Sequence, residues 1–286
     1  MDAPPDHEDC RGFVRIAAFL QAMGLNAPRV IEANLEEGFL LLSDLGNTSY
    51  LDELRARPGA ATALYADALD AVLRMQARGR THQSKLPPYD EKLLRFELSL
   101  FHDWLCRQHL GIVFDARAEA DWQAACDLLI VNALGQPQVF VHRDFHSRNL
   151  MVTPENNPGI LDFQDAVEGP LTYDLVSLLK DCYIRWPRKQ VERWALEFHA
   201  RLDESTRRML DRSQFLRCFE LMGVQRHLKA AGIFARLKLR DGKSRYLKDV
   251  PRTLSYIVEL ADRYDELESL VALIAERVSP ALEQTR

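Results

Sequence analysis

Polar side chains able to do chemistry cluster in two neighbouring segments of this 286-residue sequence, VHRDFHSRNLMV at 141–152 and GILDFQDA at 159–166. Asp144 precedes Asn149 by five residues, and Asp162 lies in the second segment. Carboxylate and amide oxygens suit a hard cation such as Mg²⁺, which takes a few protein oxygens and leaves positions for phosphates and water. A carboxylate that does not bind the metal can orient or deprotonate a hydroxyl nucleophile. The two segments therefore predict magnesium-assisted phosphoryl transfer to a hydroxyl group.

Short apolar stretches predict the strands that position these side chains, and they lie at 138–141, 149–152 and 159–163. Pro154 and Pro158 mark a turn between the last two, so a hairpin returns Asp162 to the neighbourhood of Asp144 and Asn149. Apolar residues at helical spacing predict helices over most of the remaining chain, at 48–57, 60–78, 89–109, 116–134, 172–182, 188–201, 214–239 and 251–277. A helix at 13–23 and a strand hairpin at 29–33 and 38–42 precede them. The fold class is therefore α+β, with one short sheet in a large helical body.

The composition is that of an ordinary globular protein, with 47% hydrophobic and 28% charged residues. No apolar run approaches the roughly 20 residues that cross a bilayer, and acidic residues occupy the place of a signal peptide's basic region. Five dispersed cysteines fit neither a disulfide framework nor a zinc cluster, so we expect them to be reduced and mostly buried. These features predict a cytoplasmic protein with no membrane partner. The net charge of -5 argues against general nucleic-acid binding.

The segment 217–248 departs from the acidic balance, with nine Lys or Arg and two acidic residues. Such a segment is usually a solvated helix face, and the functional alternative is a pocket wall that attracts an anion. Arg226 and Lys229 lie three residues apart on the predicted helix and could face one anion. Together with Glu97 and His227, they are candidate substrate residues.

The motifs resemble those of a known family. The segment HRDFHSRN at 142–149 resembles the catalytic loop of protein-kinase-like enzymes, and Asp162 with Phe163 matches the start of their metal-binding motif. Gln164 stands where that motif has glycine. Together with GPLTYDL at 169–175, these motifs resemble the aminoglycoside phosphotransferase and choline kinase family, whose substrates are small hydroxyl compounds.

Further segments resemble one branch of that family, the bacterial kinases that phosphorylate the anomeric hydroxyl of N-acetylmuramate and N-acetylglucosamine in cell-wall recycling. These segments are MDAPP, LLLSDLGNTSYLDEL, LPPYDEKLLRFELSLF and MGVQRHLKAAGIFARLKLRDGKSRYLKDVPR. The resemblance covers nearly the whole chain. It implies ATP and an amino sugar as partners and Mg²⁺ as cofactor.

The resemblance also implies a protein-kinase-like two-lobe fold, with an incomplete N-terminal lobe at 1–44 and a mainly helical C-terminal lobe at 45–286. Asp144 would be the catalytic base, and Asn149 and Asp162 would bind the metal. The hinge that meets adenine would be Ser43, Asp44 and Leu45. The residues that support the catalytic loop would be His142, Arg143, His146 and Asp174.

One part of the family's pattern is missing from this sequence. The thirteen glycines are never closer than eight residues apart, so there is no glycine-rich loop to cover the phosphates. The first lysine is Lys85, and the helix from Phe13 carries no acidic residue, so the family's strand lysine and helix glutamate have no counterpart. We interpret the N-terminal lobe as short of two strands, either because the protein begins upstream or because this is a lobe-deficient, inactive relative.

Other interpretations of the same residues remain open. A small-molecule kinase of the aminoglycoside or choline type would use the same loop. His142, Asp144 and His146 alternate, and on a strand they would share one face and could bind the metal of a hydrolase. That alternative leaves Asn149 and Asp162 without a common purpose.

Individual polar residues also have plain structural interpretations. We expect His142 to pack under the loop and Asp174 to cap the helix that begins beside it. For His146 both interpretations stay open, a structural role in the loop and a functional role in the site. Asp165 either binds a second metal or is solvated.

Overall fold

The computed structural model describes residues 1–2 and 9–285, so part of the MDAPP segment lies outside the described residues. The α-helices of the described part are α1 (Cys10–Ala22), α2 (Tyr50–Ala56), α3 (Ala61–Gly79), α4 (Glu91–Leu100), α5 (Ala116–Leu134), α6 (Tyr173–Leu179), α7 (Arg188–Ala200), α8 (Glu204–Met209), α9 (Arg212–Asp241), α10 (Val250–Val258), α11 (Glu268–Ala272) and α12 (Ser279–Gln284). The strands are β1 (Val30–Asn34), β2 (Phe39–Leu42), β3 (Gln138–Val141), β4 (Leu150–Met151), β5 (Gly159–Ile160) and β6 (Val167–Pro170). None of the helices described here is long and apolar enough to cross a membrane.

Helix α1 illustrates how local sequence sets an element. The Asp9 carboxylate accepts a hydrogen bond from the first turn and caps the N-terminus. Phe13, Ile16 and Leu20 recur at helical spacing and are buried in the core. Gly24, with a φ of 74°, adopts the left-handed conformation that ends the helix. The helix therefore begins at its acidic cap, earlier than the predicted start at residue 13.

The strands form three two-stranded antiparallel pairs: β1 with β2, β3 with β6, and β4 with β5. The hairpin of β4 and β5 packs closely at Gly159, where an added Cβ would lie 3.0 Å from Leu45 Cδ1 and 3.2 Å from Met151 Cβ. Beyond the hairpin, the Leu161 N–H donates to the Asn149 carbonyl at 2.9 Å. This pairing holds the loop after β3 against the loop after β5.

Helix α9 forms the centre of the helical body and packs against α4, α5, α6 and α10. Asp211 and Gln214 form a reciprocal capping box at its start. Every residue from 219 to 229 is buried, although this stretch includes charged side chains. At Gly232 an added Cβ would lie 2.2 Å from the Leu100 carbonyl carbon, so the close packing of α9 on α4 requires glycine there.

The structure corrects several predicted elements. Strand β6, which pairs with β3, was not predicted because its sequence VEGP contains Gly and Pro, the residues typical of turns. The short sheet is therefore two separate pairs, β3 with β6 and β4 with β5. The predicted helix at 251–277 is broken after Val258, where the mostly exposed residues 261–266 offer no apolar face to bury. The predicted helix at 89–109 is confirmed, with a π-helical second half at Phe101–His109.

The cysteines agree with the prediction. Four of the five are buried and Cys218 is partly buried, and these five described residues form no disulfide with one another.

Candidate active site

Two buried aspartates from later in the chain fix the loop between β3 and β4. Asp174 accepts hydrogen bonds from the N–H groups of His142 at 2.7 Å and Arg143 at 3.0 Å. Asp181 accepts from the N–H of Ser147 at 2.9 Å and from its hydroxyl at 2.5 Å. Both carboxylates are fully buried, so water cannot replace them as acceptors. The core, rather than regular secondary structure, therefore sets the loop's geometry.

The capping prediction for Asp174 is wrong. Asp174 lies in the first turn of α6, but its carboxylate binds the loop across the core instead of its own helix. Burial raises the pKa of Asp174 to about 7, and the two backbone N–H donors act in the opposite direction.

Two non-glycine residues in the site adopt left-handed backbone conformations. The φ angles are 77° at Arg143 and 61° at Asp162. Such conformations cost about 1–3 kcal/mol each and persist only where surrounding contacts enforce them. At Arg143 one such contact is the hydrogen bond from its N–H to Asp174. At Asp162 both carboxylate oxygens accept from the side-chain amides described next.

The structure brings Asp144, Asn149 and Asp162 together. The side-chain amide of Asn149 donates to the Asp144 carbonyl at 3.1 Å and to one Asp162 carboxylate oxygen at 3.1 Å. Gln164 donates to the other Asp162 oxygen at 2.9 Å. The Asn149 amide oxygen and the exposed Asp162 carboxylate thus form a compact set of oxygen donors. This donor set fits a hard divalent cation that keeps most of its ligands from water and phosphates.

Asp144 lines a small, partly open cavity of about 90 Å³. Its polar and aromatic lining consists of Asp144, His146, Tyr173, Tyr183, Arg226 and Lys229. Cys182 and three residues of α9, Ala230, Ile233 and Phe234, complete it. Arg226 and Lys229, predicted as substrate residues, therefore line the same cavity as the predicted catalytic base.

The electrostatic environment keeps Asp144 ionised. Burial acts to raise the pKa of its carboxyl group, but the nearby charge of Lys229, with a smaller contribution from Arg226, lowers the pKa below its usual value. Burial lowers the pKa of His146, so that imidazole is neutral at pH 7. The cavity thus presents an ionised carboxylate beside a neutral histidine.

Glu97 lies behind the cavity wall rather than in it. Its carboxylate accepts from Lys229 Nζ at 2.9 Å and Gln225 Nε2 at 3.0 Å, and it also binds the guanidinium of Arg143 and the hydroxyl of Tyr89. Burial acts to raise the pKa of Glu97, but Lys229 and Arg143 lower it overall. Burial likewise acts to lower the pKa of Lys229, and Glu97 raises it to about 12. Glu97 therefore joins α4, the loop and α9 as a structural anion.

His227 also lies away from the cavity. Its Nε2 is 2.8 Å from the Lys180 carbonyl, and its ring stacks on Tyr256 with centroids 4.7 Å apart. Burial lowers its pKa to about 3. The structure thus brings two of the four predicted substrate residues, Arg226 and Lys229, to the cavity and leaves Glu97 and His227 behind it.

The structure also shows the surroundings of His142 and Asp165. His142 is buried under the loop, where its Nδ1 accepts from the Asp144 N–H at 3.2 Å and burial lowers its pKa to about 4. Asp165 is exposed to solvent. Strand β3 ends at Val141, so the strand alternation expected for a hydrolase site is absent at 142–146. Across the described residues, no three His, Cys, Asp or Glu side chains are grouped to hold a metal.

The predicted hinge, Ser43 to Leu45, connects β2 to the segment before α2. The Ser43 hydroxyl accepts from the Arg29 N–H at 2.8 Å, and the Asp44 carboxylate accepts from the Gly46 N–H at 2.8 Å. Because Leu45 packs near Gly159, the segment lies against the hairpin that leads to Asp162.

Sequence reasoning missed several residues of this site. Asp181, which binds Ser147, stands in the apolar run LLKDCY, and a carboxylate in such a run is a signal that it is buried with a partner. Tyr173 and Tyr183 line the cavity, and Tyr89 binds Glu97, but nothing in their spacing distinguishes them from core aromatics.

Comparison with known sequences identifies close relatives of this chain. It is 48% identical over 283 residues to the N-acetylmuramate/N-acetylglucosamine kinase of Pseudomonas aeruginosa, a match that covers 96% of this chain and 80% of that protein. It is 41% identical to the protein of the same name from Neisseria meningitidis, over 97% of this chain and 83% of that one.

Solved structures with the same fold include an ADP-bound aminoglycoside phosphotransferase, with a TM-score of 0.56, 13% identity and coverage of 87% of this chain and 81% of that one. A Plasmodium vivax ethanolamine kinase has a TM-score of 0.59 and 13% identity, with coverage of 86% and 72%. These similarities show the predicted α+β, protein-kinase-like fold. The family model described as the phosphotransferase enzyme family, APH, matches residues 1–214. With that match over most of its length and relatives that share nearly half of its residues, this chain belongs to the APH phosphotransferase enzyme family.

Proposed function

We propose that this chain is an ATP-dependent sugar kinase that phosphorylates the anomeric hydroxyl of N-acetylmuramate and N-acetylglucosamine, in the recycling of cell-wall sugars. The observation that carries the substrate assignment is the identity of 41–48% with relatives named for these two sugars. The Asp144 carboxylate supports it, because it lines a cavity together with Arg226 and Lys229, and these polar groups can orient a small hydroxyl-bearing ligand.

In this proposal Asp144 accepts the proton of the anomeric hydroxyl as that oxygen bonds to the γ-phosphorus of ATP and ADP departs. The low pKa of Asp144 makes it a weak base. A weak base suffices, because a hemiacetal hydroxyl is more acidic than an ordinary alcohol. Asp144 would therefore act mainly by orienting the hydroxyl, and its proton transfer would come late in the step.

Asn149 and Asp162 would hold Mg²⁺ on the phosphates of ATP, because they supply adjacent hard oxygen donors. The bound ion would neutralise charge that develops on the transferring phosphoryl group. Adenine would meet the backbone of Ser43 to Leu45, between a lobe at 1–44 and a lobe at 45–286. In this proposal the enzyme acts in the cytoplasm, where ATP is available.

The supporting residues would act through the loop. Asp174 would hold the backbone of His142 and Arg143. The buried His142 would orient Asp144 by accepting the hydrogen bond from the Asp144 N–H at its Nδ1. His146, neutral and in the cavity wall, would contact the sugar.

The test is an assay with Mg-ATP and each sugar, in which a phosphorus coupling at the anomeric carbon identifies the 1-phosphate. Asp144→Asn should lower kcat by about 10² to 10⁴, the usual contribution of positioned acid–base catalysis. Asp162→Ala should be at least as harmful, since it removes a charge from the metal site. Asp127→Asn, which changes an exposed carboxylate paired with Arg95, serves as the control and should keep the parental rate. Parental activity in both site variants, or transfer to choline or an aminoglycoside in place of either sugar, would contradict the proposal.

A further inference from the structure

Two cations, Arg226 and Lys229, line the cavity. Lys229 has an ion-pair partner, whereas Arg226 has none in the part of the chain that the structure describes. Its side chain is 5% exposed, and its Nε is buried without a hydrogen-bond partner. Its Nη1 lies 3.8 Å from Cys182 Sγ, a weak acceptor. Lys229, about one turn further along α9, is paired with the Glu97 carboxylate and also contacts the Tyr173 hydroxyl, each at 2.9 Å.

An unpaired buried charge is costly for a protein to maintain. The carboxylates of Asp144 and Asp181 act on Arg226 from a distance, but neither forms an ion pair with it. Asp181 is already bound to Ser147 and to the Tyr183 N–H. The guanidinium donors of Arg226 thus remain available to a ligand in the cavity, and the ligand group that best satisfies them is a carboxylate, which pairs with guanidinium in a bidentate manner.

The two proposed acceptor sugars differ in such a group. N-acetylmuramate carries a lactyl ether with a carboxylate on ring carbon 3, two carbons from the anomeric carbon, and N-acetylglucosamine carries a hydroxyl there. One small ring can therefore present its anomeric hydroxyl to Asp144 and its lactyl arm to Arg226, because both residues line the same cavity.

We propose that Arg226 binds the lactyl carboxylate of N-acetylmuramate and so determines the preference of this site for the acidic sugar over N-acetylglucosamine. This inference rests on the proposed function, because it takes the two sugars from there. Arg226 is a specificity-determining residue in this account and takes no part in proton transfer.

The first arm of the test changes the protein. Arg226→Met keeps an unbranched, apolar stem and removes the charged guanidinium. It should lower kcat/KM for N-acetylmuramate by roughly 10- to 100-fold more than for N-acetylglucosamine, as expected for the loss of a charge-assisted pair. Arg240→Met, which changes an exposed arginine at the end of the same helix, is the matched control and should keep the parental preference. An equal loss for both sugars would overturn the inference, because it would mean that Arg226 serves Asp144 or a group common to both sugars.

The second arm changes the ligand and needs no variant. The neutral methyl ester of N-acetylmuramate should be a poorer substrate than the acid for the parent by a similar factor, and Arg226→Met should treat ester and acid alike. Parental kinetics that are identical for ester and acid would overturn the inference.

Calorimetric binding of acid, ester and N-acetylglucosamine separates this inference from the proposed function. The protein could transfer no phosphate and yet bind the acid more tightly than the ester, in a manner that depends on Arg226. That result would refute the kinase proposal and support Arg226 as the carboxylate site. Phosphate transfer without any preference due to Arg226 would refute the site alone. Failure to bind either sugar would refute both.

Discussion

Replacing Glu97 with glutamine should destabilise the fold far more than a surface charge change on the same helix. Glu97 is 2% exposed and pairs with two cations, the buried Lys229 and the partly buried Arg143. The glutamine keeps the size of the side chain but leaves both cations uncompensated. Breaking a buried pair in this way costs about 3–5 kcal/mol. With an unfolding entropy of about 2.1 cal/mol/K per residue, a chain of this length should lose about 5–8 °C in Tm.

The measurement is thermal unfolding followed by circular dichroism, with urea unfolding as a second estimate of the free energy. Glu91→Gln is the matched control, because Glu91 also lies on α4 and pairs with an arginine, Arg95, but is 57% exposed. It should change the free energy of unfolding by about 0.5 kcal/mol or less. A Glu97→Gln protein that melts within about 2 °C of the parent would refute the view that Glu97 is the anion holding α4, the loop and α9 together.

Two further predictions concern stability. Gly232→Ala should destabilise the protein by about 1–3 kcal/mol in urea unfolding, because the new Cβ would meet the backbone of Leu100. Gly59→Ala is the control: its Cβ would have no atom within 4 Å, so the free energy of unfolding should change by about 0.5 kcal/mol or less. Equal effects of the two substitutions would contradict the packing argument. Acid should destabilise the fold, because burial lowers the pKa of His142 to about 4 and that of His227 to about 3. Below about pH 6.5 the unfolded chain therefore binds more protons than the folded protein. The stability that the two neutral histidines contribute is complete above about pH 6.5 and is lost as the pH falls toward their folded-state pKa values. Each histidine should contribute a slope of up to about 1.4 kcal/mol per pH unit, and His227→Gln should reduce the slope by one proton, which urea titrations at several pH values would detect.

The parts of the site that sequence reasoning predicted are those with local signals. Strand β3 has the bounds read from its apolar run, and the turn at Pro154 and Pro158 correctly implied that Asp162 returns to Asn149. The resemblance to a kinase family then supplied roles for these residues, and the family is confirmed.

The parts that were missed depend on contacts between distant segments. Asp174 was expected to cap its own helix, because a single sequence cannot show that its carboxylate meets N–H groups more than thirty residues earlier. For the same reason, the pattern on α9 placed Arg226, His227 and Lys229 together but could not indicate which would face the cavity. Glu97 was taken for a substrate residue because its partners, Arg143 and Lys229, come from two later elements.

The two aspartates that fix the loop between β3 and β4 have a consequence for synthesis of the protein on the ribosome. The loop leaves the ribosome before Asp174 and Asp181, the acceptors for its N–H groups, and well before Lys229 joins Glu97. At about 5–20 residues per second, the stretch from Asp162 to Lys229 takes roughly 3 to 13 s to translate. Until residue 229 is added, the nascent chain contains Asp144, Asn149 and Asp162 without the full set of contacts that surrounds them in the folded protein. Competence for chemistry is therefore acquired late, when α9 has emerged and closed the site from behind.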